Sequence, residues 1–409
     1  MAPAAQQASS ASQTPHLSPA ELSYLHTSLA LPNSPIRPDG RSPTQFRPLT
    51  AETGILPGAN GSARIGFADG TEAIVGVKAE VEKTALATDT LDLRQLQRQE
   101  QDEYAEGDED MEGKEGSAEK TGHGSWVQMS IEIPGFRDDD ALPVFLSEML
   151  RESLVGSTAG GGGEGDKGMV GGLKGRLVIN RRWHWRLYID VLLLSPPLSY
   201  PLPLLSLTTH LALLSTKLPK LKSQGEEDPF FEDDWDVAEY LYPRSPKATA
   251  KGKLPTTTTP SLTTQQVRPP VTLLVISVGD NIIFDPSREE IAVAEAVLAI
   301  SIGREYDSDS DVNGNGLKLL SIRTIDPPAR LTQPGVPDSE NVTTLGSTAV
   351  AEEATILNPS TGEEEVPGVW RPRRGGVKRS LIAKMVKMVL EKGGVGEEVM
   401  EGLEGVEIG

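Results

Sequence analysis

Three stretches of the chain alternate apolar and polar residues with a period of two, and this pattern constrains the fold more than any other feature. The stretches cover residues 71–82, 126–133 and 183–191. Because successive side chains of a β-strand point to opposite faces, each stretch predicts a half-buried strand. In the third stretch the polar face carries Arg182, His184, Arg186 and Asp190. We expect His184 to be a strand or interface residue rather than a metal ligand, and the bases beside Asp190 to match its charge.

Helical spacing of apolar residues occurs in fewer places. Apolar side chains recur at helical intervals over residues 138–154, which begin with three aspartates and have Pro143 near the start, as helices often do. A second stripe, over residues 377–392, predicts another helix with Gly393 just after it. The second half also predicts strands near 271–278, 281–285, 291–302 and 317–325. This order indicates an α+β protein of two similar sheet-plus-helix domains.

Six stretches lack periodic apolar residues and are rich in Gly, Pro, Ser, Thr or acids, so we predict that they are long disordered segments. They are residues 1–16, 91–124, 158–174, 244–266, 303–316 and 337–366. The remainder is long enough for two ordinary domains. We predict a tail and lead-in at 1–33, a first domain at 34–217 and a second at 218–409. The first domain then contains two of the insertions and the second contains three.

The net charge of −20 is concentrated in two acidic runs. Residues 99–119 carry ten acids and one base, and residues 226–239 carry eight acids and no base. Clustered like charges repel one another, so these runs are predicted to be solvated loops rather than metal sites. Residues 371–387 carry seven bases and no acid. That stretch is either a solvated helix face or a patch that binds RNA or a partner, and an RNA partner is therefore not excluded.

Several function classes are excluded or disfavoured by the residues present. The absence of Cys excludes disulfides, iron–sulfur ligation and a thiol nucleophile. The five His are scattered without metal-ligand spacing. Gly163, Gly165 and Gly168 match a dinucleotide-binding pattern, but they follow no predicted strand and are interpreted as linker. The N-terminal residues lack a basic region followed by an apolar core, so we expect an intracellular protein.

Residues 191–216 contain no charged side chain, and a membrane span is the alternative to weigh. Four prolines interrupt this stretch between 196 and 203. The apolar part without proline, 204–218, is too short to cross about 30 Å of hydrocarbon. We therefore expect a buried strand followed by a buried helix, and no membrane contact.

Short motifs between residues 37 and 80, with two later ones, carry a family resemblance. They read Arg37-Pro38-Asp39-Gly40-Arg41, Phe46-Arg47-Pro48-Leu49, Glu52-Thr53-Gly54, Gly61-Ser62-Ala63-Arg64, Gly76-Val77-Lys78-Ala79-Glu80, Leu187-Tyr188-Ile189-Asp190-Val191-Leu192-Leu193-Leu194 and Asp285-Pro286-Ser287-Arg288-Glu289-Glu290. This set resembles the RNase PH family. The resemblance implies an RNase PH-like α+β fold of two similar domains, and it covers nearly the whole predicted core.

Within that family, residues 76–80 are similar to the non-catalytic ring subunits of the RNA exosome, of the type related to the inactive archaeal ring protein and with a fungal style of insertions. Active relatives need two acids around the central strand and a phosphate clamp, an arginine that binds phosphate within a Gly-Thr-Arg motif. Asp190 matches one acid, but Leu194-Ser195-Pro196 stands where the second is expected. Residues 143–149 stand where the clamp is expected and lack it. The resemblance thus implies that Asp190 is a remnant, with no catalytic residue, cofactor or metal.

The resemblance implies a role in 3′→5′ RNA degradation and ribosomal RNA processing. The expected partners are other RNase PH-like subunits in a hetero-hexameric ring, RNA-binding cap subunits, a hydrolytic exoribonuclease and single-stranded RNA. The expected locations are nucleus, nucleolus and cytoplasm. Arg64 and Lys78 are candidate RNA contacts, and surface charge unrelated to RNA is the alternative for both. Two other functions stay open at this point: an active phosphorolytic 3′→5′ exoribonuclease and a free-standing RNA chaperone.

Overall fold

The computed structural model describes residues 17–32, 34–84, 124–155, 173, 176–180, 182–223, 227–242, 266–306, 316–325 and 377–407. Five strands of the first half form one sheet. They are β1 Leu49–Thr53, β2 Gly61–Phe67, β3 Glu72–Lys83, β4 Val127–Glu132 and β5 Trp183–Leu193. Their order is β1–β2–β3–β5–β4, and all neighbours are antiparallel except β4, which runs parallel to β5. A short hairpin of β6 Lys217–Leu218 and β7 Glu239–Tyr240 follows.

The second half forms another antiparallel sheet. Its strands are β8 Gln266–Val267, β9 Val271–Val278, β10 Asn281–Phe284, β11 Ala296–Tyr306 and β12 Leu317–Ile325. The order is β10–β9–β11–β12, and β8 pairs with the end of β11. Every residue of β9 is buried, so this strand is covered on both faces of the sheet.

Six α-helices complete the described residues. They are α1 Pro19–Leu29, α2 Ala141–Val155, α3 Leu202–Ser215, α4 Arg288–Ala292, α5 Arg379–Leu390 and α6 Val395–Glu404. The two C-terminal helices pack against each other, and α5 also contacts β12. Arg304 on β11 pairs with Glu404 on α6 at 3.2 Å, which ties the last helix to the second sheet.

Helix α3 lies between the two sheets and is buried along its whole length. It contacts β2 through Ser215, whose Oγ accepts a hydrogen bond from Ser62 N at 3.0 Å. It contacts β9 through Ser206, whose Oγ accepts one from Thr272 N at 2.7 Å. An uncharged sequence is required here because a charge sealed between two sheets would be costly. The predicted buried helix is thus confirmed, and within the described ranges no helix is long and apolar enough to cross a bilayer.

The predicted period-two strands are confirmed as β3, β4 and β5, and the predicted helices as α2 and α5. The strand predicted at 291–302 is wrong at its start, because residues 291 and 292 belong to α4, which Ser287 caps, and β11 starts only at Ala296. Ser287 Oγ accepts from Glu290 N, and the Glu290 carboxylate accepts from Ser287 N at 2.8 Å, a capping box that favours a helical turn. Strand β11 also runs on through 303–306, residues predicted to begin an insertion.

Other predicted insertion boundaries also shift. Gly124 opens a short 3-10 helix, Leu173 is buried, and Gln266 belongs to β8. The rest of the predicted tail and insertions lies largely outside the described residues. Helix α1, in the predicted lead-in, packs against the second sheet: Asn281 Nδ2 donates to the carbonyls of Leu29 and Leu31 at 2.7 and 2.8 Å. The domain boundaries themselves stay a prediction.

Candidate functional site

Asp190, the residue with the strongest catalytic resemblance, lies on β5 in the interior of the first sheet. Its neighbours across the strands are Gly76 on β3 and Ser130 on β4. The flanking Ile189 and Val191 are buried, so the carboxylate points to the opposite, outer face and is exposed. Ser130 Oγ donates a hydrogen bond to Asp190 Oδ1 at 2.6 Å. This hydroxyl is a neutral partner, and among the residues that the structure describes no ion pair uses Asp190.

The prediction that bases on β5 match the Asp190 charge is wrong. Arg186 Nη1 instead donates to Glu82 Oε2 at 2.9 Å, and the guanidinium carbon lies 5.5 Å from the ring centroid of Tyr188. The strand register explains this result, because the acidic end of β3 runs beside Arg186. Opposite Asp190, β3 has Gly76, which has no side chain to offer.

His184 is a residue of strand β5, as predicted, but its side chain is buried rather than exposed on a polar face. Its ring stacks on Trp126, with centroids 4.1 Å apart, and Nδ1 lies 3.0 Å from Thr84 Oγ1. Glu82 Oε2 is 3.6 Å from Nε2. Burial lowers the pKa of His184 below its ordinary value, and the nearby Glu82 charge only partly opposes this. The residue is therefore a packed part of the sheet.

The stretch after β5 is apolar where a second acid would be expected. Leu194 and Leu198 are exposed there, as is Leu192 near the end of β5, and the sequence contains no Asp or Glu between Asp190 and Glu226. Across the described parts of the chain, no group of three or more His, Asp or Glu side chains is arranged to hold a metal ion. The outer face near Asp190 thus presents its carboxylate, the exposed leucines and, on β4 opposite Leu192, the exposed Glu132.

Helix α2, where the phosphate clamp of active relatives would be expected, exposes Val144 and Phe145 to solvent. Its arginine, Arg151, donates from Nη2 to Glu148 Oε1 at 2.7 Å on the same helix. The hydrogen bond from Arg151 lowers the pKa of Glu148. This arginine is already paired within its own helix.

The two candidate RNA contacts have different surroundings. Arg64 on β2 donates to Glu72 Oε2 at 2.7 Å, and this hydrogen bond raises the pKa of Arg64. Lys78 on β3 is exposed, and within the described residues its Nζ donates to one group, the Gly58 carbonyl at 3.4 Å. The register places Lys78 directly opposite Tyr188 on β5. Lys78 is therefore the more available cation, beside an aromatic ring.

The sequence pattern alone did not single out Tyr188 as a functional residue. Its position on the polar face, two residues from Asp190, was a signal that could have identified it. The structure joins Tyr188, Lys78 and Asp190 on one outer face through the pairing of β3 with β5. Arg64 lies farther along the same face of β2 and β3, because its partner across the strands is Ile74, four residues from Lys78.

Three arginines of the N-terminal motifs hold the turn at residues 285–290. Arg37 forms a bidentate pair with Glu290, with Nε–Oε1 2.7 Å and Nη2–Oε2 2.8 Å. Arg41 Nη1 donates to Asp285 Oδ2 at 2.8 Å, and Arg47 Nη2 donates to Asp285 Oδ1 at 2.6 Å. Both carboxylate side chains are shielded from solvent. We call this set of five residues the arginine clamp.

The arginine clamp explains why the motifs at 37–47 and 285–290 are both present. Asp285 has a φ of 46°, a conformation rare outside glycine, and its carboxylate and carbonyl are both held by clamp arginines. The clamp joins the N-terminal segment to the second sheet, so its charges serve the fold rather than a ligand. Sequence reasoning identified the two motifs but not their contact.

Residues 45–219 match RNase PH, described as the 3′ exoribonuclease family, domain 1. Relatives with 31% identity align with 70% of the chain. The chain therefore belongs to the RNase PH family of 3′ exoribonucleases, the class that these motifs and the two-sheet fold define.

Two curated relatives are named exosome complex components. The RRP42 protein of Saccharomyces cerevisiae is 31% identical over 285 residues, which is 81% of its own length. The rrp42 protein of Schizosaccharomyces pombe is 31% identical over 301 residues, 78% of its length. Among solved structures, the Archaeoglobus fulgidus exosome with RNA bound to the active site aligns with 75% of this chain and 87% of its own, at 19% identity and a TM-score of 0.42.

Proposed function

We propose that this chain is a structural, catalytically inactive ring subunit of the RNA exosome. The observation that carries the proposal is the 31% identity to exosome components of two yeasts, over 70% of this chain and about four fifths of each relative. In this role it forms part of the wall of a hetero-hexameric ring of RNase PH-like subunits and contacts its neighbours in that ring. The ring supports 3′→5′ RNA degradation and ribosomal RNA processing.

The strand edges of the two sheets support a role in assembly. In the described chain β1 and β4 end the first sheet, and β10 and β12 end the second. Open strand edges are sites at which another chain can pair, and natural proteins cover or blunt them. A ring of similar subunits is one way to cover such edges.

The surroundings of Asp190 support catalytic inactivity. The aspartate has a serine as its hydrogen-bond partner, leucines follow it on the same surface, and the arginine of α2 is bound to Glu148. Removing one general acid or base typically costs about 10²–10⁴-fold in rate, and here the phosphate clamp is replaced as well. No cofactor or metal is needed for the proposed role.

The further partners follow from the same proposal. Single-stranded RNA passes the subunit on its way to a separate hydrolytic exoribonuclease, and RNA-binding cap subunits cover the ring. Lys78 and Tyr188 are the RNA contacts we favour, because an exposed lysine beside an aromatic ring suits a phosphate and a stacked base. Nucleus, nucleolus and cytoplasm are the proposed locations.

Affinity purification of the tagged full chain tests the assembly, with the co-purifying chains identified by mass spectrometry. The expected result is a stoichiometric set of RNase PH-like subunits. An untagged monomer that is monodisperse and unfolds cooperatively would contradict the ring role and favour a free-standing protein.

Decay of a 3′-tailed RNA by the reconstituted ring, without a hydrolytic nuclease, tests inactivity against the alternative of a phosphorolytic exoribonuclease. In the test ring this chain is unmodified and all the other RNase PH-like subunits carry inactivating substitutions. This ring should show no RNA decay, with or without phosphate. Phosphate-dependent decay by that ring would establish the alternative.

A further inference from the structure

Exposed apolar side chains gather in the segment that enters β7. Phe230, Trp235, Val237 and Tyr240 all lie between residues 227 and 240, and Phe230 and Trp235 are 62% and 48% exposed. Solvated tryptophan and phenylalanine side chains in one short segment are unusual for a surface with no partner. Aromatic residues are also enriched in protein interfaces. We call residues 227–240 the acidic aromatic ridge.

The ridge carries seven carboxylates and no base. Glu232 pairs with Lys222 at 2.6 Å, and Asp228 accepts a hydrogen bond from Trp183 Nε1 at 3.2 Å. Asp233, Asp236 and Glu239 are exposed, and no ion pair within the described residues uses them. The aromatic side chains of the ridge therefore lie among carboxylates, three of which have no ion pair within the described residues.

Two of the aromatic rings of the ridge already have a lysine of the same chain lying over them. Lys222 Nζ lies 5.6 Å from the ring centroid of Phe230, and Lys217 Nζ lies 4.9 Å from that of Tyr240. Trp235 is the better cation–π acceptor of the three, and in the described parts of the chain no cation lies over its ring. Its neighbours Asp233 and Asp236 would add to the attraction for a cation.

A groove of about 230 Å³ lies beside the ridge. Trp185 and Phe231 line it, with their ring centroids 5.0 Å apart, together with Leu218 and Leu221. Arg176 and Lys220 also line this groove. Glu239 of the ridge lines it as well, so the wall is of mixed charge, and the four apolar side chains named above offer contact to an apolar guest.

We propose that the acidic aromatic ridge docks a basic polypeptide segment of a partner protein. An arginine or lysine of that segment lies on Trp235 between the carboxylates, and an apolar side chain enters the neighbouring groove. Charge complementarity decides for a polypeptide over RNA, because the seven carboxylates repel a phosphate backbone while a basic segment is attracted. This binding role goes beyond the proposed ring function and does not depend on it.

The test uses the full chain with its co-purified partners and a fluorescent twelve-residue peptide that alternates arginine with leucine. Fluorescence anisotropy measures the dissociation constant at low salt. Trp235→Ala should weaken binding about tenfold, and Asp233→Asn with Asp236→Asn should weaken it by a similar factor that shrinks as salt rises. Asp234 is kept because its side chain accepts from Asp236 N and shapes the turn.

Matched controls separate the ridge from general attraction to an acidic chain. Tyr24→Ala removes another exposed aromatic, and Asp138→Asn with Asp139→Asn removes two other exposed acids. Both controls should bind the peptide as the unmodified chain does, and a peptide with glutamate in place of arginine should not bind. Equal effects of ridge and control variants would overturn the proposal.

A twelve-nucleotide oligouridine in the same assay examines the nucleic-acid alternative. The expected result is that Trp235→Ala leaves its binding unchanged. A loss of RNA binding in Trp235→Ala, with peptide binding unaltered, would overturn the proposal and assign the ridge to RNA.

Discussion

Arg37 and Glu290 are 253 positions apart in the chain and form a buried bidentate ion pair. Neither side chain reaches solvent. The three remaining guanidinium hydrogens donate to the Ser42, Phe284 and Asp285 carbonyls at 3.2, 3.2 and 2.9 Å, so every N–H of the guanidinium is hydrogen-bonded. A buried pair of this kind is costly to break, because removing one partner leaves the other as an unpaired charge.

Arg37→Ala should lower the free energy of unfolding by about 3–5 kcal/mol, measured by urea denaturation. The matched control is Arg137→Ala, which removes an arginine from an exposed pair with Asp139 and should cost under about 1 kcal/mol. Replacing Arg37 and Glu290 together with methionine should recover most of the loss. Equal destabilisation by the two single alanine variants would show that the arginine clamp does not hold the fold.

Gly61 begins β2 where the strand touches the end of α3. A Cβ at this position would lie 2.5 Å from Thr216 Cα and 2.6 Å from Thr216 N, and backbone atoms cannot move aside cheaply. Gly61→Ala should therefore destabilise the protein by about 1–3 kcal/mol. Gly58→Ala is the control, since a Cβ there has no atom within 4 Å. A melting temperature lowered equally by both variants would argue against the close approach.

The lowered pKa of His184 predicts a loss of stability in acid. The unfolded chain takes up a proton as pH falls below about 6.5, whereas the folded chain resists protonation because the imidazole is buried. The contribution of His184 to stability is thus present above pH 6.5 and is lost as pH falls through the lower folded-state pKa. His184→Phe keeps a ring against Trp126 and cannot be protonated.

Melting temperatures of the two proteins between pH 7.5 and 5 check this dependence. The His184→Phe variant should lose less stability than the unmodified chain over this range. Parallel curves would mean that His184 is readily protonated in the folded protein.

Asp190→Asn should leave RNA decay by the fully assembled complex unchanged, because the carboxylate contacts a serine and not a reacting group. A modest loss of about 0.5–2 kcal/mol in stability is expected from altering the hydrogen bond with Ser130. Ser130→Ala removes the same bond and is the matched control for stability. A phosphate-dependent activity that disappears in Asp190→Asn alone would identify the residue as catalytic.

Lys78→Ala and Tyr188→Ala should each weaken retention of single-stranded RNA by the ring. Loss of a stacking ring typically costs about 1–3 kcal/mol, and loss of a lysine should also reduce the salt dependence of binding. Arg64→Ala is the control, because Arg64 is engaged by Glu72 and should matter less. Filter binding at two salt concentrations measures the RNA affinity of each variant. If Arg64→Ala weakened RNA binding more than Lys78→Ala or Tyr188→Ala, Arg64 would be the RNA contact instead.

Local periodicity predicted most of the elements, and the exceptions have physical causes. Residues 291–302 form an almost continuous apolar run without a period, so the α4 turn was visible only through the Ser287 and Glu290 capping box. Helix α6 was not predicted, because Gly396 and Gly402 lie within its ten residues and lower its intrinsic helix propensity. It forms because Val395, Met400 and Leu403 are buried in the second half of the fold.

The sequence by itself determined the alternating strands, the uncharged helix α3, the family motifs and the apolar stretch that stands where a second acid would be. These features depend on residue type and spacing, which are written locally along the chain. Only the tertiary structure decided that Arg37 holds Glu290, that His184 is buried on Trp126, and that Asp190 has Ser130 rather than a base beside it. Each of these outcomes depends on strand register and on contacts between distant segments, and a local pattern carries no information about which distant residue it will meet.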